Sequence, residues 1–426
     1  MVLAAMLLAS TVDRLDAQTI QRVIIDALEG NGDCNRSQAQ CIRTSGRFSG
    51  SGGLGTTTQP EVVAEILKQQ VTTLPLGTSS GGFTWEFDPA LGVMVRRTRS
   101  FGPIFGDRPI TIGAGKVSLG LTFQHTEWRS LAGQDLQDGI YGHDLFLDDF
   151  YTPTLQPVFE QFGSRIDLST ERTTINLTYG VTSRLDFNAI VPLARSSASG
   201  GPDYSYTLAR SGFTVLKAQD TRSVSATGLS DISVRGKYLA FSGRSGAMAA
   251  IGEIRLPTGD SNNLLGSGKA AAKLSLVGSV AAGPVSPRVE AGYLFAGSGL
   301  TFIERFGRQT LAEAEPTDEI TYSAGADIAI APRVTVAVDL LGRTLRHSAE
   351  VTQTVHTTPS TLDPTFTREI VSYTVKPGPV SLLLGTAGAK IQIASNWLVT
   401  ASVLLALNDA GVKPQPTPII GFERAF

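Results

Sequence analysis

Cysteine, histidine, methionine and tryptophan are all scarce in this 426-residue chain, with two, four, four and three copies. Cys34 and Cys41 have no histidine near them in sequence, so a zinc site is not expected. The short polar stretch between them suits a local disulfide in an oxidising compartment, and a pair of unlinked thiols is the alternative. Charge of a single sign is lacking too. Thirty-six basic residues face 38 acidic ones, for a net charge of −2, which excludes an electrostatic nucleic-acid binder. Beyond the first residues there is no run of about 18 apolar residues, so a membrane-crossing helix is excluded on length. What remains is 45 glycines in a turn-rich chain. That inventory favours strands over a helical bundle.

Met1 to Val12 form an apolar stretch, and Leu15-Asp16-Ala17 ends in a small residue suited to cleavage before Gln18. Residues 1–17 are therefore expected to be a signal peptide, although no Lys or Arg precedes the apolar stretch and Asp13-Arg14 interrupts its end. An ordinary buried helix is the alternative. Ile20, Val23, Ile24, Ala27 and Leu28 recur at helical spacing over residues 19–29, and Val63, Ile66, Leu67, Val71 and Leu74 repeat the pattern after Pro60. A Gly/Ser/Thr linker, Gly46 to Thr58, separates the two. Phe83 to Asp88 and Val93 to Arg97 are expected to pair as a hairpin. Residues 18–114 form an N-terminal segment expected either in the periplasm or as a plug.

Two glycine motifs are incomplete. Gly50 to Gly55 matches a dinucleotide fingerprint without the strand and helix that fingerprint requires. Gly77 to Gly81 matches a nucleophile elbow but is preceded by Pro75 and followed by Gly82-Phe83, where a helix should begin. No complete catalytic motif, cofactor site or metal site is present, and the chain is not expected to be an enzyme.

After Gly115 the chain alternates with a period of two. Val117, Leu119, Leu121 and Phe123 oppose Lys116, Ser118, Thr122 and Gln124; Val334, Val336, Val338 and Leu340 oppose Thr335, Asp339 and Arg343. Twelve such segments can be read, ending at Ile419 to Phe426. A strand that crosses a bilayer needs about 9 to 11 residues, with apolar side chains on the lipid parity and polar ones on the lumen parity. Residues 115–426 are thus expected to be a transmembrane antiparallel up-and-down β-barrel in the outer membrane of a Gram-negative cell. Tight connections at 181–184, 241–246, 282–287, 331–333 and 394–396 alternate with extended polar loops at 127–171, 195–230, 297–319 and 345–381. That asymmetry distinguishes the periplasmic from the outer end. A soluble β-sandwich is the competing fold, but its strands typically run only about 5 to 6 residues.

The expected lumen parity carries Lys116, Asp186, Asp231, Arg235, Lys237, Glu253, Arg255, Lys273, Arg288, Glu290, Asp327, Asp339, Arg343 and Lys390. These mixed charges are expected either to line a narrow route or only to stabilise the barrel. The first long stretch holds Tyr141, Phe146, Phe150, Tyr151 and Phe159, expected to capture a small hydrophobic ligand or to cap the mouth. His125, His143, His347 and His356 fall at or above the outer rim, so a barrel-embedded hydrolase remains an alternative, although no motif supplies a partner.

Gly228-Leu-Ser-Asp231, Gly236-Lys-Tyr238, Leu256-Pro-Thr-Gly-Asp260 and Gly266-Ser-Gly268 resemble a family of outer-membrane proteins associated with meta-pathway phenol degradation, chiefly over 228–426. The resemblance implies an outer-membrane barrel that transports aromatic or other hydrophobic compounds. Terminal Phe426, with Ile420 and Phe422 on one face, resembles the aromatic signal read by barrel-assembly machinery. A structural or ligand-binding barrel without transport is the second reading.

Overall fold

A computed structural model describes residues 18–29, 60–75, 77, 81–88, 93–96, 100–137, 143–147, 158–208, 214–219, 221–243, 246–305, 308–359 and 367–426. Among these, two helices precede the sheet: α1 (Ile20–Glu29) and α2 (Pro60–Val71). The anticipated hairpin joins Trp85–Asp88 to Val93–Arg96. No helix is long and apolar enough to cross a membrane. Residues 1–17, Cys34 and Cys41 lie outside the described residues.

Twelve strands follow, numbered here in chain order: β1 (Val117–Leu131), β2 (Val158–Gly180), β3 (Leu185–Leu208), β4 (Ile232–Ser242), β5 (Gly246–Leu256), β6 (Ala271–Val280), β7 (Val285–Arg305), β8 (Arg308–Ala331), β9 (Val334–Pro359), β10 (Thr367–Ala394), β11 (Trp397–Ala406) and β12 (Thr417–Ala425). Each pairs antiparallel with the next. β12 then pairs with β1, from Ile419 opposite Gln124 to Ala425 opposite Ser118. The ring is closed, each of these twelve strands has two neighbours, and among the described residues the shorter strands Gln134–Asp135, His143–Leu147, Thr214–Gln219, Arg222–Leu229 and Val412–Pro414 join the same sheet, Arg222–Leu229 beside β3. Closure is what a sheet in hydrocarbon needs, because an edge would leave amides and carbonyls without partners.

The two parities separate as the alternation requires. Leu119, Phe123, Leu177, Phe187, Leu274, Val289, Val338 and Ile420 are exposed on the outside, while Ser118, Gln124, Thr174, Thr178, Asp186, Asn188, Thr335 and Asp339 are buried within. A soluble sandwich would show the reverse. The apolar belt ends abruptly on β1, where outward Phe123 gives way to His125 and Glu127, both exposed. At the opposite end the Arg424 guanidinium lies over the Trp397 ring at 5.1 Å and the Phe426 ring at 4.5 Å, which accommodates a cation on the lipid parity at the membrane edge.

Among the described residues, much of the four polar stretches expected to be loops is strand. β2, β3, β7, β8, β9 and β10 run for 23, 24, 21, 24, 26 and 28 residues, more than twice what the apolar layer requires. Their ladders continue outward on Ser, Thr and charged residues, as in Ser169 opposite Ser197 and Thr352 opposite Thr374. Polarity of side chains does not interrupt a backbone ladder. The short ends match the anticipated tight turns, including Val181–Arg184 and Pro332-Arg333.

Helices α1 and α2 and residues 100–112 pack against the inner wall of the ring. α2 is almost wholly buried, with Val63, Ile66, Leu67 and Val71 at 0 % exposure. These residues, with Ile20, Ile24 and Ala27 of α1, pack against inward Trp128, Leu131, Ile166, Leu168, Ala349, Val351, Leu384 and Leu404. The outer half of the lumen is therefore an apolar core, and the inner half is polar. Toward the short-turn end, Phe83 and Phe101 close a small cluster with Leu398 and Ala425.

Replacing Val338, an outward residue in the apolar part of β9, with Arg is expected to lower the unfolding free energy by about 2–4 kcal/mol in lipid. Urea titration of protein folded in vesicles measures the loss.

Candidate functional site

The polar half of the lumen is a ladder of charges facing an irregular stretch of the inner segment, residues 100–112. Each element presents alternate residues inward, so neighbouring strands bring opposite charges to the same height. Arg288 on β7 bonds Asp327 on β8 at 2.7 Å and also bonds Asp339 on β9. Arg235 on β4 bonds Glu253 on β5 at 2.8 Å, and Lys273 on β6 bonds Glu290 on β7 at 3.1 Å. Arg255 lies 3.9 Å from Glu253. Lys237 and Asp186 sit 3.6 Å apart.

The inner segment is held mainly through its backbone. Asp186 accepts a hydrogen bond from the Ile112 amide at 3.0 Å, and Lys237 donates to the carbonyls of Arg108 and Ile110 at 3.3 and 3.2 Å. Asp339 accepts from the Phe105 amide at 3.2 Å, and Lys390 donates to the Phe101 carbonyl at 3.4 Å. Glu423 accepts from the Gly82 amide at 2.6 Å. Higher up, Arg343 on β9 donates to the Thr73 carbonyl at 2.5 Å and Arg172 on β2 to the Leu74 carbonyl at 3.3 Å. Two guanidiniums from separate walls thus engage the carbonyls just past α2, where the helix dipole favours cations.

Two of the spaces beside the segment are lined by the charged and polar wall. One, about 140 Å³, lies between residues 73–77 and 105–107 and the wall of β4 to β9, and it is lined by Arg235, Glu253, Arg255, Lys273, Glu290 and Arg343 among others. The other, about 80 Å³, is lined by hydroxyls and amides of β1, β2 and β12, including Thr122, Gln124, Asn176 and Thr178, with Lys390 and Glu423.

Most of the charges named from sequence come together here, but two have other duties. Asp231 is buried, yet its carboxylate accepts from the Gly259 amide at 3.1 Å and from the Ser267 amide and hydroxyl, both at 2.7 Å. It holds the β5–β6 connection rather than lining a route. Lys116 lies at the barrel's short-turn end with its ammonium 5.2 Å from the Trp85 ring. Phe426 exchanges backbone bonds with Val117, and its ring is half exposed. In the aromatic stretch, Phe146 and Phe159 stand opposite one another in a short ladder between His143–Leu147 and β2. Tyr141, Phe150 and Tyr151 lie outside the described residues.

Sequence reasoning missed Glu319, 3.7 Å from Arg343, because it fell in a presumed loop. It also missed Asp107, 3.7 Å from Arg235, and Arg108, which bonds the Gly81 carbonyl, because both precede the barrel. His125 turns outward toward Glu127 and Glu171, at 3.5 and 3.8 Å, with no serine in that group. Among the described residues, no cluster of His, Cys, Asp or Glu could hold a metal.

Arg288 joins two buried carboxylates, so Arg288→Met is expected to cost about 3–5 kcal/mol, the penalty for stranding a buried partner charge. Adding Asp327→Asn and Asp339→Asn should restore part of it. Urea midpoints of the refolded variants read the difference.

Residues 160–340 match a protein family described as "Putative MetA-pathway of phenol degradation". The match begins earlier than the resemblance read from motifs at 228–268 and stops before β10. It includes the Leu256-Pro-Thr-Gly-Asp260 turn. No curated protein matches the chain. Among solved structures, an outer-membrane channel from Pseudomonas putida F1 is similar at 11% identity and a TM-score of 0.42, over 75% of this chain and 98% of that one. The CymD monoaromatic hydrocarbon channel gives 10% identity and a TM-score of 0.34, over 74% of this chain and 89% of that one. The translocator domain of the autotransporter NalP from Neisseria meningitidis gives 11% and 0.37, over 74% and 89%.

Proposed function

We propose that this outer-membrane barrel conducts small, mainly apolar molecules, with the N-terminal segment serving as an internal plug whose displacement joins the two luminal spaces to either end. The observation that carries this reading is the cavity of about 140 Å³ between the inner segment and the barrel wall. An eight-stranded barrel is filled by its own side chains, and a 16-stranded one holds an open aqueous channel. Twelve strands leave a bore wide enough for an extra stretch of chain, and this protein fills it with a stretch held mostly by backbone hydrogen bonds. Water can replace such bonds one at a time, so the segment is removable at lower cost than a side-chain core. The apolar lining of the outer half offers a ligand of low polarity a place to partition from the medium. The family match supports a role with aromatic compounds. Export through residues 1–17, a Cys34–Cys41 disulfide, and recognition of the Phe426 strand by barrel-assembly machinery belong to the same reading.

A crosslink tests it. A Cβ built on Gly81 would lie 3.4 Å from the Ser118 Cβ, close to the separation of about 3.8 Å found in disulfides. Oxidised Gly81→Cys/Ser118→Cys protein is expected to slow uptake of labelled phenol or toluene into proteoliposomes at least tenfold, and dithiothreitol is expected to restore it. Unaltered protein treated with dithiothreitol controls for Cys34 and Cys41. Equal uptake in the oxidised and reduced states would remove the plug from the mechanism.

A further inference from the structure

The larger luminal cavity has two unlike sides. Leu74, Phe105, Leu294, Leu341 and Leu384 supply apolar surface, while Arg255 and Arg343 face it from the wall. Its volume of about 140 Å³ is close to the roughly 150 Å³ cavity that admits benzene in an engineered protein core. A single six-membered aromatic ring fits that space.

The guanidiniums add a chemical requirement. Arg343 is only 8 % exposed. One nitrogen, Nη1, is used on the Thr73 carbonyl, and Nε and Nη2 have no hydrogen-bond partner. Arg255 Nε is likewise without a partner. The carboxylates on this wall are already engaged: Glu253 with Arg235 at 2.8 Å, Glu290 with Lys273 at 3.1 Å, and Asp107 with Arg235 at 3.7 Å. Glu319 approaches Arg343 no closer than 3.7 Å, and Glu253 approaches Arg255 only to 3.9 Å. Arg255 is moreover within electrostatic reach of both Arg172 and Arg343, and among the described residues Arg172 has no ion pair. Basic and acidic residues are balanced in the cavity lining, four of each, yet Arg255 and Arg343 carry buried donors that no protein acceptor meets. Buried donors left without acceptors cost free energy, and a planar guanidinium is matched best by a planar carboxylate.

We infer that the cavity is a binding site for a one-ring aromatic carboxylate, with Arg255 and Arg343 holding the carboxylate and the leucine and phenylalanine side chains holding the ring. The inference rests on the channel reading and narrows it from apolar compounds in general to aromatic acids.

Benzoate, benzamide and formate separate the two requirements, since benzamide keeps the ring and shape without the charge and formate keeps the charge without the ring. Titration calorimetry on the full chain in detergent is expected to show benzoate binding at least tenfold more tightly than benzamide or formate. Arg255 makes no hydrogen bond to the inner segment, so Arg255→Gln should leave heat-modifiable barrel mobility intact while weakening benzoate at least tenfold and benzamide not at all. Equal binding of benzoate and benzamide, no binding of benzoate, or unchanged benzoate affinity in Arg255→Gln would each overturn the carboxylate site. Proteoliposome flux of toluene keeps the two proposals apart: toluene entry without benzoate selectivity leaves the channel standing and removes the site, whereas no entry of any aromatic compound removes both.

Discussion

Hydrocarbon supplies no hydrogen bonds, so each backbone amide and carbonyl at membrane depth must find its partner within the protein. The pairing of β12 with β1 meets that demand, down to the bonds exchanged between Val117 and Phe426. Closure then creates a second problem. The polar parity of all twelve strands is turned into a confined space in which bulk water is scarce, so charges that would be inexpensive on a soluble surface need partners of their own. Cross-strand pairs such as Arg288 with Asp327 and Lys273 with Glu290 solve part of it. The inner segment solves much of the rest, and for that reason barrel and segment cannot be understood separately.

The chemistry of that association is uneven in a telling way. Between Phe101 and Ile112 the segment brings few charges of its own, chiefly Asp107 and Arg108, and it meets the charged wall with amides and carbonyls. The wall's ion pairs are mostly internal to the wall. Withdrawing the segment would leave Arg235 with Glu253, Lys273 with Glu290 and Arg288 with its two carboxylates, so most of the wall's charges would keep a partner. The exception is the arginine group at the end of α2, where Arg343 and Arg172 spend donors on Thr73 and Leu74.

How much of this was legible depended on what physical signal each feature leaves. Membrane strands impose a two-residue rhythm, so all twelve could be placed, and their inward residues with them. Outer extensions leave no such signal: Ser169, Ser197, Thr352 and Thr374 read as loop, although their backbones pair regularly. Glu319 was lost to the same cause. Helices α1 and α2 were visible from their apolar spacing, but an apolar face looks the same whether it meets a periplasmic partner or the inside of a barrel. Only the coordinates bring Ile66 and Leu67 against the lumen. Asp231 was read correctly as inward-facing, yet its partners are amides from the β5–β6 connection, which a period-two pattern cannot forecast.

That connection links the most recognisable stretch of sequence to the inner segment. Gly259 approaches so closely that a Cβ there would come within 2.6 Å of the Leu265 carbonyl oxygen, and Leu264 adopts a positive φ of 54° while its side chain is buried against the luminal core. The turn is thus folded inward and fixed by Asp231 from below. Its far side presents the Asn262 carbonyl to the Gln21 amide at 3.0 Å and the Asn263 side-chain oxygen to the Ile20 amide at 3.2 Å, satisfying two of the amides that the first turn of α1 leaves open. Arg222, from the strand that borders β3, adds a 3.1 Å ion pair to Asp26 on the same helix. A glycine-containing turn that resembles a family signature therefore has a local physical purpose: it lets the backbone fold back into the mouth far enough to cap the helix with which the inner segment begins.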